Sequence, residues 1–301
     1  MSSRSFRALA FLLLSLLARA AGAQAPVYRA ETKLVVLQAT VRNARGELVT
    51  SLGQDAFTVY ENGRKQPIEV FRREDIPVSL GILIDNSGSM KKLRGSVEAA
   101  ALSCVRASNP KDEVFVLNFA DKIRVDVPFT SDLQVLEAGI GRVDSIGGTA
   151  MHDAVQAAAG YLREHAQQDR KALLLITDGF DNASATTLDQ IKTLVEQGDM
   201  VIYAIGLLGE EAASKARRAH DELDELTSLS GGVAYYPANV ESLEDVAIGI
   251  ARQIRSQYTL AYVPSEASLD GSYRKLRVVA KGAESLAVRT RAGYRAAAAK
   301  P

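Results

Sequence analysis

From Thr32 to Phe71 the hydrophobic positions come in short bursts separated by turn residues. Leu34-Val35-Val36-Leu37 and Ala39-Thr40-Val41 read as a strand, and Asn43-Ala44-Arg45-Gly46 as the turn that follows it. Phe57-Thr58-Val59-Tyr60 and Ile68-Glu69-Val70-Phe71 flank Asn62-Gly63, a pair that tolerates the positive φ of a tight turn, so a hairpin is expected between them. From Pro77 the pattern changes. Val78-Ser79-Leu80-Gly81-Ile82-Leu83-Ile84 is almost continuously apolar, as in a parallel strand covered on both faces, and Val114–Phe119, Ala172–Ile176 and Met200–Ile205 share that texture.

Helical spacing separates these runs. Met90, Leu93, Val97, Ala101, Cys104 and Ser108 form one stripe, ended by Asn109-Pro110, and Met151, Val155, Ala158 and Leu162 form another. Further helices are expected over Leu188–Gln197, Glu210–Leu229 and Val240–Gln257. Repeated strand, helix, strand order implies an α/β fold with a doubly wound, mostly parallel sheet. The last section turns β again, with strands expected at Tyr258–Val263, Arg274–Ala280 and Ser285–Thr290 and a turn at Asp270-Gly271. Isolated hairpins are marginal, so the terminal strands are expected to meet as one small flanking β-sandwich. The division that results is a signal peptide (1–23), an amino-terminal β segment (24–76), an α/β domain (77–256), a carboxyl-terminal β segment packing with the first (257–295) and a tail (296–301).

The signal peptide rests on Arg4 and Arg7, the leucine-rich run Ala8–Ala18, and the small residues Ala21-Gly22-Ala23, after which cleavage is expected. The run is short for a hydrocarbon core of ~30 Å, and no later stretch is long and apolar enough, so no membrane span is expected after cleavage. A periplasmic or extracellular location follows. Cleavage removes Arg4, Arg7 and Arg19 but no acid, which leaves a balanced chain three charges negative. That balance gives no footprint for nucleic acid. Cys104 is the only cysteine, so packing and not an intrachain disulfide must hold the fold.

Candidate chemistry gathers where strands end. The first parallel strand runs into Asp85-Asn86-Ser87-Gly88-Ser89-Met90, Gly147-Gly148-Thr149 opens a helix, and Thr177-Asp178-Gly179 closes another strand. Loops at the carboxyl ends of a doubly wound sheet form its binding crevice, which would bring Asp85, Ser87, Ser89, Thr149 and Asp178 together. Two carboxylates and three hydroxyls offer only oxygen, the donor set of a hard cation such as Mg²⁺, with Mn²⁺ or Ca²⁺ as alternatives. So few acids leave the ion electrophilic enough to take one more carboxylate oxygen from outside.

This combination resembles the metal-ion-dependent adhesion site of von Willebrand factor type A (VWA) domains, a Rossmann-like fold. Leu174–Gly179, Val201–Gly206 and Leu223–Gly232 with its closing Ser230-Gly231-Gly232 extend the likeness over Pro77 to Ser256. Phe57–Phe71 and Arg289-Thr290-Arg291-Ala292-Gly293-Tyr294 are similar to exported bacterial VWA proteins common in acidobacteria. The resemblance implies direct ligation by Ser87 and Ser89, a largely water-mediated role for Asp85, direct ligation by Thr149 in the ligand-engaged state, and water-mediated or direct ligation by Asp178 in the resting state. It implies a protein partner whose Asp or Glu completes the metal shell, and no enzymatic activity. A shift of the last helix, Val240–Gln257, on partner binding is also implied.

Other readings stand beside these. Ser89 and Thr149 are also ordinary helix caps. Asp181 reads as a further ligand or as a solvated turn, Asp153 as a complement to a helix dipole, His152 as a surface residue near the site, and Cys104 as a buried thiol. A metal-assisted hydrolase would use Ser87 or Ser89 as nucleophile, which needs an adjacent base. No nucleophile elbow, zinc-ligand spacing or phosphate loop accompanies them. A structural envelope component with a vestigial site is the remaining alternative, against which all five site residues are retained.

Overall fold

The computed structural model describes residues 34–141, 147–208, 213–266 and 270–297. The signal peptide expected over 1–23 lies outside them. Along the chain come β1 (Val35–Asn43), β2 (Phe57–Glu61), β3 (Arg64–Gln66), β4 (Val70–Arg72) and β5 (Val78–Asp85). The α/β section continues with α1 (Arg94–Ala107), β6 (Glu113–Phe119), β7 (Ile123–Thr130), α2 (Leu133–Ile140), α3 (Met151–His165) and β8 (Arg170–Thr177). Then follow α4 (Leu188–Gln197), β9 (Val201–Gly206), α5 (Ala213–Ser230), β10 (Ala234–Tyr235) and α6 (Leu243–Arg255). The last strands are β11 (Tyr258–Tyr262), β12 (Tyr273–Ala280), β13 (Leu286–Arg289) and β14 (Gly293–Arg295).

The central sheet has the order β10-β9-β8-β5-β6-β7, with every pair parallel except β6 with β7. All of β5 is buried, because it is central and covered twice. Leu80, Ile82 and Ile84 face α1 and α6 in one core, with Val97, Ala101, Ile250 and Ile254. Leu83, Leu173 and Leu175 face α3, α4 and α5 in the other, with Val155, Ile191 and Leu226. Each such aliphatic side chain contributes about 1.5–3 kcal/mol by leaving water, and that gain is available on both faces, hence the unbroken apolar runs. Cys104 is fully buried in the first core, where burial pushes its thiol up to about 12 and leaves it inert at neutral pH.

The flanking strands form two four-stranded sheets, β13-β1-β11-β4 and β14-β12-β2-β3. Leu37, Val59, Tyr258, Leu260 and Tyr262 pack between them, so strands from both chain ends share one core. Glu61, buried among these side chains, accepts from the Tyr262 hydroxyl at 2.5 Å and the Tyr294 hydroxyl at 2.9 Å.

Several elements differ from the sequence expectation. Asn62 and Gly63 do make the turn, at φ 47° and 82°, but the strand that returns is β3 and not Ile68–Phe71. Pro67 has no amide hydrogen to continue the ladder, and the chain crosses to the other sheet, where Val70–Arg72 pairs with β11. The first helix opens as a 3₁₀ turn over Gly88–Lys92, held by Met90 N–H to Ser87 O and Leu93 N–H to Met90 O, and becomes α-helical only at Arg94. The antiparallel edge strand β7 and the short helix α2 complete the sheet on one side without having been expected.

Candidate metal centre

The three loops named from the sequence meet at the carboxyl edge of the central sheet, and backbone contacts tie them together. Gly88 N–H donates to Gly147 O at 3.2 Å, joining the first loop to the second. Thr149 N–H donates to Asn182 Oδ1 at 3.0 Å and Asn182 N–H returns to Thr149 O at 3.0 Å, joining the second to the loop after β8. Gly147, at φ 102°, is required here, since a Cβ on it would stand 2.3 Å from Asp121 Oδ2. Asp121 in turn accepts from Gly148 N–H at 2.5 Å.

Asp85 is 1% exposed at the end of β5. Its two oxygens are aimed by separate donors: Thr177 Oγ1 to Oδ2 at 2.6 Å and Ser87 N–H to Oδ1 at 2.8 Å. Burial pushes its carboxyl up to about 6, the Thr177 and Ser87 hydrogen bonds pull it back, and the neighbouring Asp178 charge adds to the rise. A carboxylate so placed favours any positive charge that arrives. Ser87 is buried and Ser89 exposed, with their hydroxyls 3.1 Å apart. Asp178 is half-buried.

Neither Ser89 nor Thr149 caps a helix. Leu93 stands at the N-cap of α1 and Ala150 at that of α3, both without a side-chain cap. The first turn of α3 is satisfied from across the crevice instead. His152 N–H donates to Asp181 Oδ2 at 2.8 Å and Asp153 N–H to Ser184 Oγ at 3.1 Å. Asp181 is therefore a buried staple and not a solvated turn, accepting also from Ser184 Oγ at 2.6 Å. Asp153 accepts from Ala185 N–H and Thr186 N–H at 2.9 and 2.8 Å; burial opposes its ionisation, but the hydrogen bonds from Thr186 and Ala185 together outweigh it and lower its pKa.

His152 is buried, contrary to the surface reading, because the loop after β8 and α5 pack over it, placing it between Asp181 (3.5 Å) and Glu222 of α5 (3.5 Å). Burial opposes its protonation, but Glu222 and Asp181 outweigh it and raise its pKa. Asn86 is also buried, donating to Asn118 Oδ1 at 2.6 Å and accepting from Arg94 at 3.0 Å, so it stitches the first loop to β6 and α1. Thr177, Asn182 and Asp121 complete the supporting set. Their signals were Thr177's place just before Asp178 and the polar turns after β6 and β8, but no spacing rule singles them out.

Among the described residues no three His, Cys, Asp or Glu side chains cluster to hold a metal ion. An ion at this edge therefore depends on two carboxylates, hydroxyls and water. The oxygen-only set and an aimed, buried carboxylate fit a hard divalent cation.

Residues 80–180 match the family model described as the von Willebrand factor type A domain. The fold is of this type. A solved structure of proximal thread matrix protein 1 from the mussel byssus, whose adhesion-site motif is described as zinc-occupied, is similar with a TM-score of 0.52 at 18% identity, covering 64% of this chain and 49% of that one. A von Willebrand factor type A protein from Catenulispora acidiphila gives a TM-score of 0.50 at 14% identity, covering 86% of this chain and 73% of that one. Among curated proteins, calcium-activated chloride channel regulator 1 of Equus caballus is 25% identical over 166 residues, 52% of this chain. The match spans only 17% of that protein's length. VWA domains are commonly protein-interaction modules and often bind a divalent metal at the adhesion site. No helix among the described residues is long and apolar enough to cross a membrane.

Proposed function

We propose that this chain is an exported, metal-dependent binding module whose VWA domain captures a protein partner through one of the partner's acidic side chains. The observation that carries the reading is the convergence of the three loops around Asp85, with two neighbouring serine hydroxyls that cap no helix. Ser87, Ser89 and Thr149 would offer hydroxyl oxygens, and Asp85 and Asp178 would act directly or through water. When bound, a Mg²⁺-type ion supplies an electrophilic centre for an outside carboxylate oxygen. The protein's own work is to aim Asp85 through Thr177 and Ser87 N–H, and to hold the glycine loop close through Asp121. Ser87 and Ser89 have no histidine base at hand, since His152 is engaged by Asp181 and Glu222, which weighs against a hydrolase at this edge.

Calorimetric titration of Mg²⁺, Mn²⁺ and Ca²⁺ into metal-stripped protein tests the site. Saturable binding by the wild type, lost in Asp85→Ala and weakened in Thr149→Ala with unchanged circular dichroism, is expected. Equal binding by wild type and Asp85→Ala refutes the assignment. Export is tested by sequencing the amino terminus of the mature protein, expected at Gln24.

A further inference from the structure

A second polar region lies away from the metal edge, where the β-sandwich meets the central sheet. A cleft of about 570 Å³ opens there between β1, β10, β12, β13 and α6. Its walls carry Arg42, Arg277, Arg289 and Arg291, and no aspartate or glutamate. None of the four forms an ion pair among the described residues. They are held by neutral groups. Arg42 donates to Gln253 Oε1 at 2.8 Å, Arg289 to Gly232 O at 3.0 Å, and Arg277 lies over the Tyr60 ring at 4.2 Å. Arg291 spends its fork on the carbonyls of Gly198 and Glu196 at 2.7 and 2.8 Å.

Two hydroxyls in the same wall are orphaned. Thr40 is 1% exposed and its Oγ1 has no hydrogen-bond partner, and the buried Oγ1 of Thr290 has none either. Native proteins pair nearly all such groups, because a lost partner costs about 1–3 kcal/mol. Thr40 and Arg289 are direct cross-strand partners, so a hydroxyl and a guanidinium come from one rung of the ladder. The remaining wall includes Val233, Val278 and Val288, which gives the cleft an apolar side.

We propose that this cleft binds a small organic anion, whose carboxylate or phosphate head meets Arg42, Arg289 and the Thr40 and Thr290 hydroxyls while its body lies on the valines. Guanidinium donors match the oxygens of either head. The volume lies within the roughly 300–1,000 Å³ common for small-molecule sites. Tyr235 reports the local field: burial raises its phenol, while Arg42 and Arg289 pull it down. Because Gln253 belongs to α6 and Tyr235 to β10, an occupant would brace the sandwich against the α/β layer.

The full chain, kept in chelator so that the metal edge does not contribute, is titrated with benzoate, phenyl phosphate, inorganic phosphate and neutral benzamide. Calorimetry and thermal unfolding are the readouts. Saturable binding and a raised Tm are expected with benzoate or phenyl phosphate but not benzamide. Whichever of the two binds tighter assigns the head. Arg289→Gln is expected to weaken binding about tenfold. Thr40→Val is expected to weaken it too, while leaving the Tm of the free protein unchanged or higher, since the orphan hydroxyl is gone. No saturable binding of either organic anion, equal binding of benzamide, inorganic phosphate binding as tightly as phenyl phosphate, or unaltered affinity in both variants would each overturn the proposal.

Discussion

At the carboxyl edge of the central sheet two aspartates stand close together, whereas at the junction with the sandwich four arginines line one cleft without a carboxylate. In both places like charge is kept in position by neutral partners: Thr177 and the Ser87 amide hold Asp85, and backbone carbonyls hold Arg289 and Arg291. Other charges are paired instead, as with Arg255 and Asp75, or Lys171 and Asp199. Neutral restraint fixes the geometry of a charge without cancelling it, so the field stays available to something arriving from solvent. The two regions differ in how deeply they are built. The metal edge gathers loops of one α/β layer, while the cleft needs both chain ends and the layer between them.

The largest test of this contrast is Asp85→Ala. It is expected to lower divalent-metal affinity by about a hundredfold or more and to remove the metal-linked rise in Tm, leaving anion binding at the cleft intact. Loss of both activities together would show that the two regions are not separate. Thr177→Val comes next. It removes the donor to Asp85 and the acceptor of Gly179 N–H, for an expected loss of about tenfold in metal affinity and about 1–3 kcal/mol in stability by denaturant unfolding. At the cleft, Arg42→Gln is expected to weaken anion binding about tenfold with metal affinity unchanged, as measured by paired titrations.

The smallest effect concerns pH. His152, flanked by Asp181 from the loop after β8 and Glu222 from α5, has a folded pKa raised above its ordinary 6.5. The folded state therefore binds its proton more tightly than the unfolded state. That stabilisation is complete below about pH 6.5 and is lost as pH rises through the raised value. His152→Gln is expected to flatten this part of the profile of Tm against pH, with a difference from wild type that shrinks above neutrality. A variant whose profile parallels the wild type would remove His152 from the account.

Periodicity and strand-end chemistry alone determined the alternation of strands and helices, the doubly wound sheet, and Asp85, Ser87, Ser89, Thr149 and Asp178 as one candidate set. They could do so because a parallel strand buried on both faces must be apolar throughout, and its carboxyl end must open into the crevice. Tertiary structure decided what local pattern cannot carry. Pro67 sends β4 to the opposite sheet, since a missing amide is harmless or fatal depending on which neighbour would have used it. Asp181 became a staple and His152 an interior residue because α3 is capped from a different loop. The arginine cleft brings Arg42 to within hydrogen-bond reach of Gln253, 211 positions away, and no periodicity spans that distance. Charge balance along the chain concealed it, because net charge counts residues while a binding field depends on which of them the fold leaves unpaired.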